Sequence, residues 1–216
     1  YERDPKTMRA PAALRKVHPL GKSLMIEHGC HTIIETGAIV DYPLELGEGD
    51  LAPPPNRYAV LKHRMLLHYA EGSMMPPLRA LLIIGKLGIL GKPDRKPVQS
   101  MLDGHLDWLE SGLEGRDFFV GDTLTAADIM MSFPIEAGAS RAPYADKPRL
   151  TAFLKKIHAR PAYRRALERG GPHAYACRFG AIGGNRPPRQ ALTLHAPHAP
   201  SDPRRAGRGH RLPPRL

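Results

Sequence analysis

The residue pair with the clearest chemical potential is Glu35-Thr36, which follows the apolar run His31–Ile34 and opens a predicted helix. A helix N-terminus presents unpaired backbone N–H groups and the positive end of the helix dipole, so it attracts anions. In one interpretation Glu35 meets an ammonium group there, while the Thr36 hydroxyl and the amides hold a carboxylate. In the other, the pair is a plain helix N-cap with a solvated Glu35. The residues alone favour the plain N-cap.

The cysteines and histidines favour neither a metal site nor a disulfide framework. Cys30 and Cys177 lie far apart and form no CxxC pair, and the eleven histidines form no HExxH motif and no Cys/His cluster. We therefore predict no metal, no bound cofactor and a reducing, cytoplasmic location.

A capping box is the most specific local pattern. Thr125 is predicted to be the N-cap of a buried helix and Asp128 its N3 residue, each satisfying a backbone donor of the first turn. Leu124 and Ile129 stand where a hydrophobic staple would pair them. This pattern predicts where a helix begins and assigns no catalytic role.

The elements that must position these residues begin with a β-hairpin. Residues 23–26 and 31–34 are short apolar runs separated by a turn with Gly29, where a positive φ is tolerated. The helix that follows is expected to stop at Pro43 and Gly47. Pro53-Pro54-Pro55 marks a linker at 50–56, which separates a first domain at 1–49 from a second at 57–175.

Helical spacing dominates after residue 57. Leu102, Leu106, Leu109 and Leu113 predict one amphipathic helix, a shorter one follows at 150–157, and Pro161 is expected to open the last. Pro76-Pro77 should interrupt the first helix of this region. The apolar segment 78–90 is predicted to be a buried helix, since no stretch reaches the roughly 20 apolar residues of a membrane span.

The formal charge of +11 comes mostly from the C-terminal residues. Residues 176–216 contain eight Arg and one Asp, which gives +7, together with seven Pro and five Gly. Such a composition predicts a disordered tail, since it cannot bury enough apolar surface to offset its ordering entropy. The tail has almost no aromatic residues on which nucleic-acid bases could stack, so its arginines could contact only phosphates. Nucleic-acid binding is therefore not favoured.

Four motifs in order resemble the glutathione S-transferase family over about residues 1–175. FFVGDTLTAADIMMS at 118–132 resembles the signature of that family's C-terminal domain, and HPLGKS with IIETGAIVDY resembles the end of its glutathione-binding domain. LLHYAEGSMMPPL and RPAYRRALERGGPHAY are similar to the first and last helices of bacterial-type members. The resemblance implies part of a thioredoxin-like domain followed by an all-helical domain.

The resemblance also implies a function and its residues. Glutathione would be conjugated to a small hydrophobic electrophile by a homodimer, without a membrane partner. The implied glutathione-binding residues are Lys22, Ser23, Glu35 and Thr36. The helix that faces the electrophile in relatives carries His68, Tyr69 and Ser73.

The sequence departs from the family at two places. Leu24 stands where relatives have a proline that follows a cis peptide bond. A cis peptide bond before a non-proline residue such as Leu24 would cost about 2.5–4 kcal/mol. The family's first strand and helix, which carry the thiol-activating residue, have no counterpart before Tyr1, so no catalytic residue can be named. We expect impaired conjugation, and the alternative is a non-catalytic binding module that kept the helical domain.

Overall fold

The computed structural model describes residues 10–22, 24–47 and 50–171. Its regular elements, in chain order, are α1 (Ala12–Val17), β1 (Met25–His28), β2 (His31–Ile34), α2 (Thr36–Glu45), α3 (Arg57–Tyr69), α4 (Met75–Leu87), α5 (Lys92–Gly112), α6 (Ala126–Ala139), α7 (Pro148–Ala159) and α8 (Pro161–Gly170). A two-stranded unit followed by helices confirms the predicted fold class. The predictions for Ser23 and for the tail 176–216 lie outside the described residues.

β1 and β2 form the predicted antiparallel hairpin. Met25 pairs with Ile34 at one end and His28 pairs with His31 at the other, with Gly29 in the turn at a φ of 60°. Such a φ is free of steric cost for glycine alone. The first strand begins at Met25, two residues later than the apolar run at 23–26 predicted.

α2 continues past the proline that was expected to end it. Pro43 lies inside the helix, which runs to Glu45, and Leu46 then caps it. The proline ring removes one N–H bond near the C-terminal end, where few turns remain to be disrupted. Val40 on this helix packs against the core of the helical domain, so α2 links the hairpin to that domain.

The prolines at 76 and 77 interrupt the long helix as predicted. A π-helical turn, Ala70–Met74, separates α3 from α4, and the two prolines occupy the first positions of α4. Proline is tolerated there because the first N–H groups of a helix have no intrahelical partner. The chain therefore passes from α3 to α4 through a single π-helical turn.

α6 is the central helix of the second domain, and α3, α4, α5 and α7 pack around it. The largest fully buried side chains come from all of these helices, the π-helical turn and the loop before α6: Leu66, Met74, Leu78, Leu102, Leu106, Leu109, Phe119, Met131, Ile135, Leu150, Phe153 and Leu154. The predicted spacing on α5 and α7 is thus confirmed as the inward face of each helix.

The capping box of Thr125 and Asp128 is present at the start of α6. The Asp128 carboxylate accepts the Thr125 N–H at 2.8 Å, the Thr125 hydroxyl at 2.7 Å and the Phe119 N–H at 2.7 Å. It therefore holds the preceding loop as well as the helix. Of the two residues predicted to form a hydrophobic staple, Leu124 is buried and Ile129 is 40% exposed.

Candidate functional site

Glu35 stands where β2 gives way to α2, as the sequence predicted. Its backbone has a φ of 71° and a ψ of 125°, and among the described residues it is the one non-glycine residue with a positive φ. Such a conformation costs of order 1–3 kcal/mol in a residue with a side chain, and strained residues cluster at ligand-binding sites. The strain marks this junction as a candidate binding site.

The first turn of α2 offers the donors that an anion needs. Glu35 is the N-cap residue but its side chain makes no capping bond, and the first turn contains no acidic residue. The backbone N–H groups at its start are therefore open to a ligand, beside the half-buried Thr36 hydroxyl. Among the described residues, the exposed Glu35 carboxylate has no recorded hydrogen bond or ion pair. An acceptor for a cation and donors for an anion thus lie side by side.

The hairpin register brings the Lys22 segment near this junction. Because Met25 pairs with Ile34, the chain entering β1 lies beside the chain leaving β2. Lys22 is exposed, and so is Leu24, at 56% of its surface. Ser23, between them, is outside the described residues. The two predicted segments therefore flank one end of the hairpin.

Cys30 lies at the opposite end of the hairpin. It is exposed in the turn, and β2 separates it from Glu35. Four strand residues at about 3.3 Å each place it more than about 10 Å away. The thiol is therefore too distant to act on a ligand held at Glu35.

The three residues predicted to face an electrophile differ in exposure and in partners. His68 is exposed, Ser73 is half-buried in the π-helical turn, and Tyr69 turns toward α5. The Tyr69 hydroxyl lies 2.6 Å from His105 Nδ1, and its ring centroid is 4.8 Å from that of Trp108. Burial raises the pKa of Tyr69 to about 12, so its hydroxyl stays protonated at neutral pH.

His105 and Trp108 were missed as partners of Tyr69 from sequence. Both lie on α5 three residues apart, next to the predicted inward leucines, and Trp108 is 45% exposed. Helical spacing places them on one face but gives no information about the helix opposite. The contact spans 36 residues of chain.

His63 is a second residue whose role the sequence did not indicate. It lies on α3, is 3% exposed, and its Nε2 has no hydrogen-bond partner. Desolvation by burial lowers its pKa, opposed by the charges of Asp41 on α2 and Asp128 on α6. His63 is therefore held neutral among groups from the hairpin unit and the helical domain.

Groups of His, Cys, Asp and Glu that could hold a metal ion are absent from the part of the chain that the structure describes. The chemistry at the β2–α2 junction is that of an acceptor and a set of donors. Such a pair can bind a zwitterion, with its ammonium on the carboxylate and its carboxylate at the helix N-terminus.

Comparisons with known proteins agree on one family. The family model for the glutathione S-transferase C-terminal domain matches residues 93–169, from α5 to α8. Glutathione S-transferase 3 of Schizosaccharomyces pombe is 30% identical over 178 residues, covering 74% of this chain and 73% of that protein. Glutathione S-transferase 1 of Saccharomyces cerevisiae is 29% identical over 201 residues, covering 78% and 82% respectively.

Solved structures give the same result. A glutathione S-transferase from Actinobacillus pleuropneumoniae is 30% identical with a TM-score of 0.71, covering 83% of each chain. A sphingomonad glutathione S-transferase complexed with glutathione is 24% identical with a TM-score of 0.60, covering 73% of this chain and 78% of that one. The second similarity is one of fold alone.

Proposed function

Because the chain belongs to the glutathione S-transferase family, we propose that it binds glutathione at the β2–α2 junction. The strained Glu35 backbone is the observation that carries the proposal, since strained residues cluster at ligand-binding sites and the Glu35 side chain makes no capping bond to α2. Glutathione carries an ammonium and a carboxylate on its γ-glutamyl group. These are the two charges that the junction can match.

Each part of the peptide has a proposed contact. Glu35 accepts from the γ-glutamyl ammonium, while the Thr36 hydroxyl and the first N–H groups of α2 donate to the adjacent carboxylate. The Ser23 backbone meets the cysteinyl part, and Lys22 pairs with the glycyl carboxylate. The hairpin register places the chain before Met25 beside Glu35, which supports this assignment of the three parts of glutathione.

The proposed reaction is attack of the glutathione thiolate on a small hydrophobic electrophile. The thiolate is the nucleophile, so a transferase works by lowering the pKa of the bound thiol. We place the electrophile along the end of α3 and the π-helical turn, beside His68 and Ser73. Tyr69 would contribute its ring there, since its hydroxyl is bonded to His105. We expect slow turnover, because Leu24 stands where relatives have proline.

We also propose that the protein is a homodimer. Large apolar side chains are exposed on α3 and α5, with Tyr58 82% exposed, Leu61 58% and Met101 58%. Exposed apolar surface of this kind is typical of protein interfaces. Static light scattering at several concentrations tests it, and a monomeric mass throughout would contradict it.

The second candidate function is a non-catalytic binding module. The distance of Cys30 from Glu35 favours it, since that thiol cannot assist at the junction. A conjugation assay with an aromatic electrophile separates the two functions. A transferase forms conjugate faster than the uncatalysed reaction, whereas a binding module holds glutathione without turnover.

The same assay tests the site through two matched variants. Glu35→Gln removes one charge-assisted contact, worth about 1.5–3 kcal/mol, so kcat/KM should fall about ten- to a hundredfold. Glu27→Gln is the control, because Glu27 is exposed on β1 of the same hairpin. Equal rates for both variants would refute the proposed role of Glu35.

A further inference from the structure

The apolar segment at 78–90 is not buried as the sequence predicted. Leu78, Leu81 and Ile84 do form the inward face of α4, but Leu82 is 47% exposed and Ile83 57%. The expectation failed because the segment is apolar on both faces, and only one of them meets the core. A contiguous exposed apolar patch is typical of an interaction surface.

The exposure increases toward the connection between α4 and α5. Leu87 is 52% exposed, and Ile89 and Leu90, in the 3-10 turn Gly88–Gly91, are 80% and 82% exposed. We call residues 82–96 the α4–α5 tip. It contains five large apolar side chains that the fold leaves uncovered.

Glycines fix the shape of this tip. Gly88 has a φ of 58°, and Gly91 lies so close to α4 that an added Cβ would be 2.5 Å from the Ile84 carbonyl oxygen. The turn therefore packs its backbone against α4, which leaves the Ile89 and Leu90 side chains facing away from the protein. Their exposure follows from a defined turn.

Basic residues surround the apolar ones. Lys86, Lys92, Arg95 and Lys96 are all exposed, and Asp94 is the single acidic residue of the tip. Among the described residues, none of the four cations has a recorded ion pair. The tip thus combines apolar surface with a net charge of three positive units.

The helical segment Arg57–Gly112, which includes the π-helical and 3-10 turns, also contains a window long and apolar enough to cross a membrane, by length and composition alone. Its inner face belongs to the core around α6, so crossing would require the helical domain to open. Lying on a membrane surface requires no such change. The exposed side chains alone would enter the lipid.

We propose that the α4–α5 tip docks on the surface of an anionic lipid membrane. Apolar side chains at the acyl boundary with lysines and arginines at the headgroups are the pattern of interfacial binding. Each basic residue near such a surface strengthens binding about fivefold. A symmetric contact between two copies of the tip would instead bring the four cations of each copy together.

Vesicle flotation with the full chain tests this docking. Vesicles of phosphatidylserine and phosphatidylcholine should carry the protein upward, and Ile89→Ser/Leu90→Ser should reduce the bound fraction at least about tenfold. Leu46→Ser, at an exposed position just after α2, is the matched apolar control and should bind as the parent chain does. All variants keep the arginine-rich tail, so its own attraction to the vesicles is constant.

A second pair of variants tests the charges without altering apolar surface. Lys92→Gln/Lys96→Gln should weaken binding about twenty-five-fold, at about fivefold for each charge. Lys155→Gln/Arg165→Gln, exposed on α7 and α8, is the control and should weaken it far less. Circular dichroism checks that each variant is folded.

Three outcomes would overturn the proposal. In the first, the tip variants float as well as the parent chain. In the second, the controls lose binding as fully as the tip variants, which would indicate charge or tail binding alone. In the third, Ile89→Ser/Leu90→Ser changes the mass measured by light scattering without vesicles and leaves flotation unchanged. The tip would then be an interface between copies.

Discussion

Replacing Asp128 should destabilise the helical domain more than any other single polar change at the start of α6. The carboxylate is fully buried and accepts hydrogen bonds from Phe119 N, Thr125 N and the Thr125 hydroxyl, all within 2.8 Å. Asp128→Ala leaves these three buried donors without an acceptor. Thr125→Ala, the comparison, removes a single N-cap side chain, at about 0.5–2 kcal/mol.

Two opposing terms set the magnitude for Asp128→Ala. Three charge-assisted hydrogen bonds at about 1.5–3 kcal/mol each favour the carboxylate. Desolvation opposes them and is the larger influence on the Asp128 pKa, which is raised despite those bonds. The net loss should therefore be about 3–5 kcal/mol, as for other broken buried charged contacts. Asp128→Asn should be only about 1 kcal/mol more stable than Asp128→Ala, because the asparagine NH2 group would face hydrogen-bond donors where the aspartate has an acceptor oxygen.

Urea unfolding followed by the fluorescence of Trp108, the single tryptophan, measures these changes. Trp108 packs on Tyr69 in the helical domain, so its emission reports that domain's unfolding. A shift in midpoint at constant slope gives the change in free energy. A loss below about 1 kcal/mol for Asp128→Ala, or an Asn variant as stable as the parent, would refute the reasoning.

Three further predictions concern other parts of the fold. Because the pKa of buried His63 is lowered, the free energy of unfolding should fall as pH drops below about 6.5. His63→Leu should make the free energy of unfolding less dependent on pH, and an unchanged pH dependence would contradict this prediction. Glu110 on α5 accepts hydrogen bonds from Arg149 N and Leu150 N at 2.9 Å and so caps α7. Glu110→Ala should lower the free energy of unfolding in urea by about 2–4 kcal/mol, and a decrease below about 1 kcal/mol would exclude that cap. Leu24→Pro should strengthen glutathione binding by fixing the loop before β1, and calorimetry showing weaker binding would argue against it.

Local patterns predicted the elements well because their causes are local. The leucine spacing on α5, the paired prolines before α4 and the capping box each depend on neighbours within a few residues. The strand-to-helix junction at Glu35 was predicted for the same reason. Its positive φ was not, since no local pattern requires strain in a glutamate.

The remaining features depend on contacts between distant residues. Glu110 caps a helix that begins almost 40 residues later, and Tyr69 meets His105 across the α3–α5 contact. The exposure of Ile89 depends on which face of α4 the core covers. Such pairings are set by how helices pack together, which periodicity alone does not specify.

The most direct test of the central claim is a glutathione titration of the isotope-labelled chain followed by NMR. The account predicts that the Thr36 and Gly37 amide signals shift first and most, because these N–H groups begin α2 beside Glu35. Glu35→Gln should weaken the fitted affinity about ten- to a hundredfold, whereas Glu27→Gln should leave it unchanged. Saturable binding that shifts signals elsewhere, or that survives Glu35→Gln intact, would contradict glutathione binding at this junction.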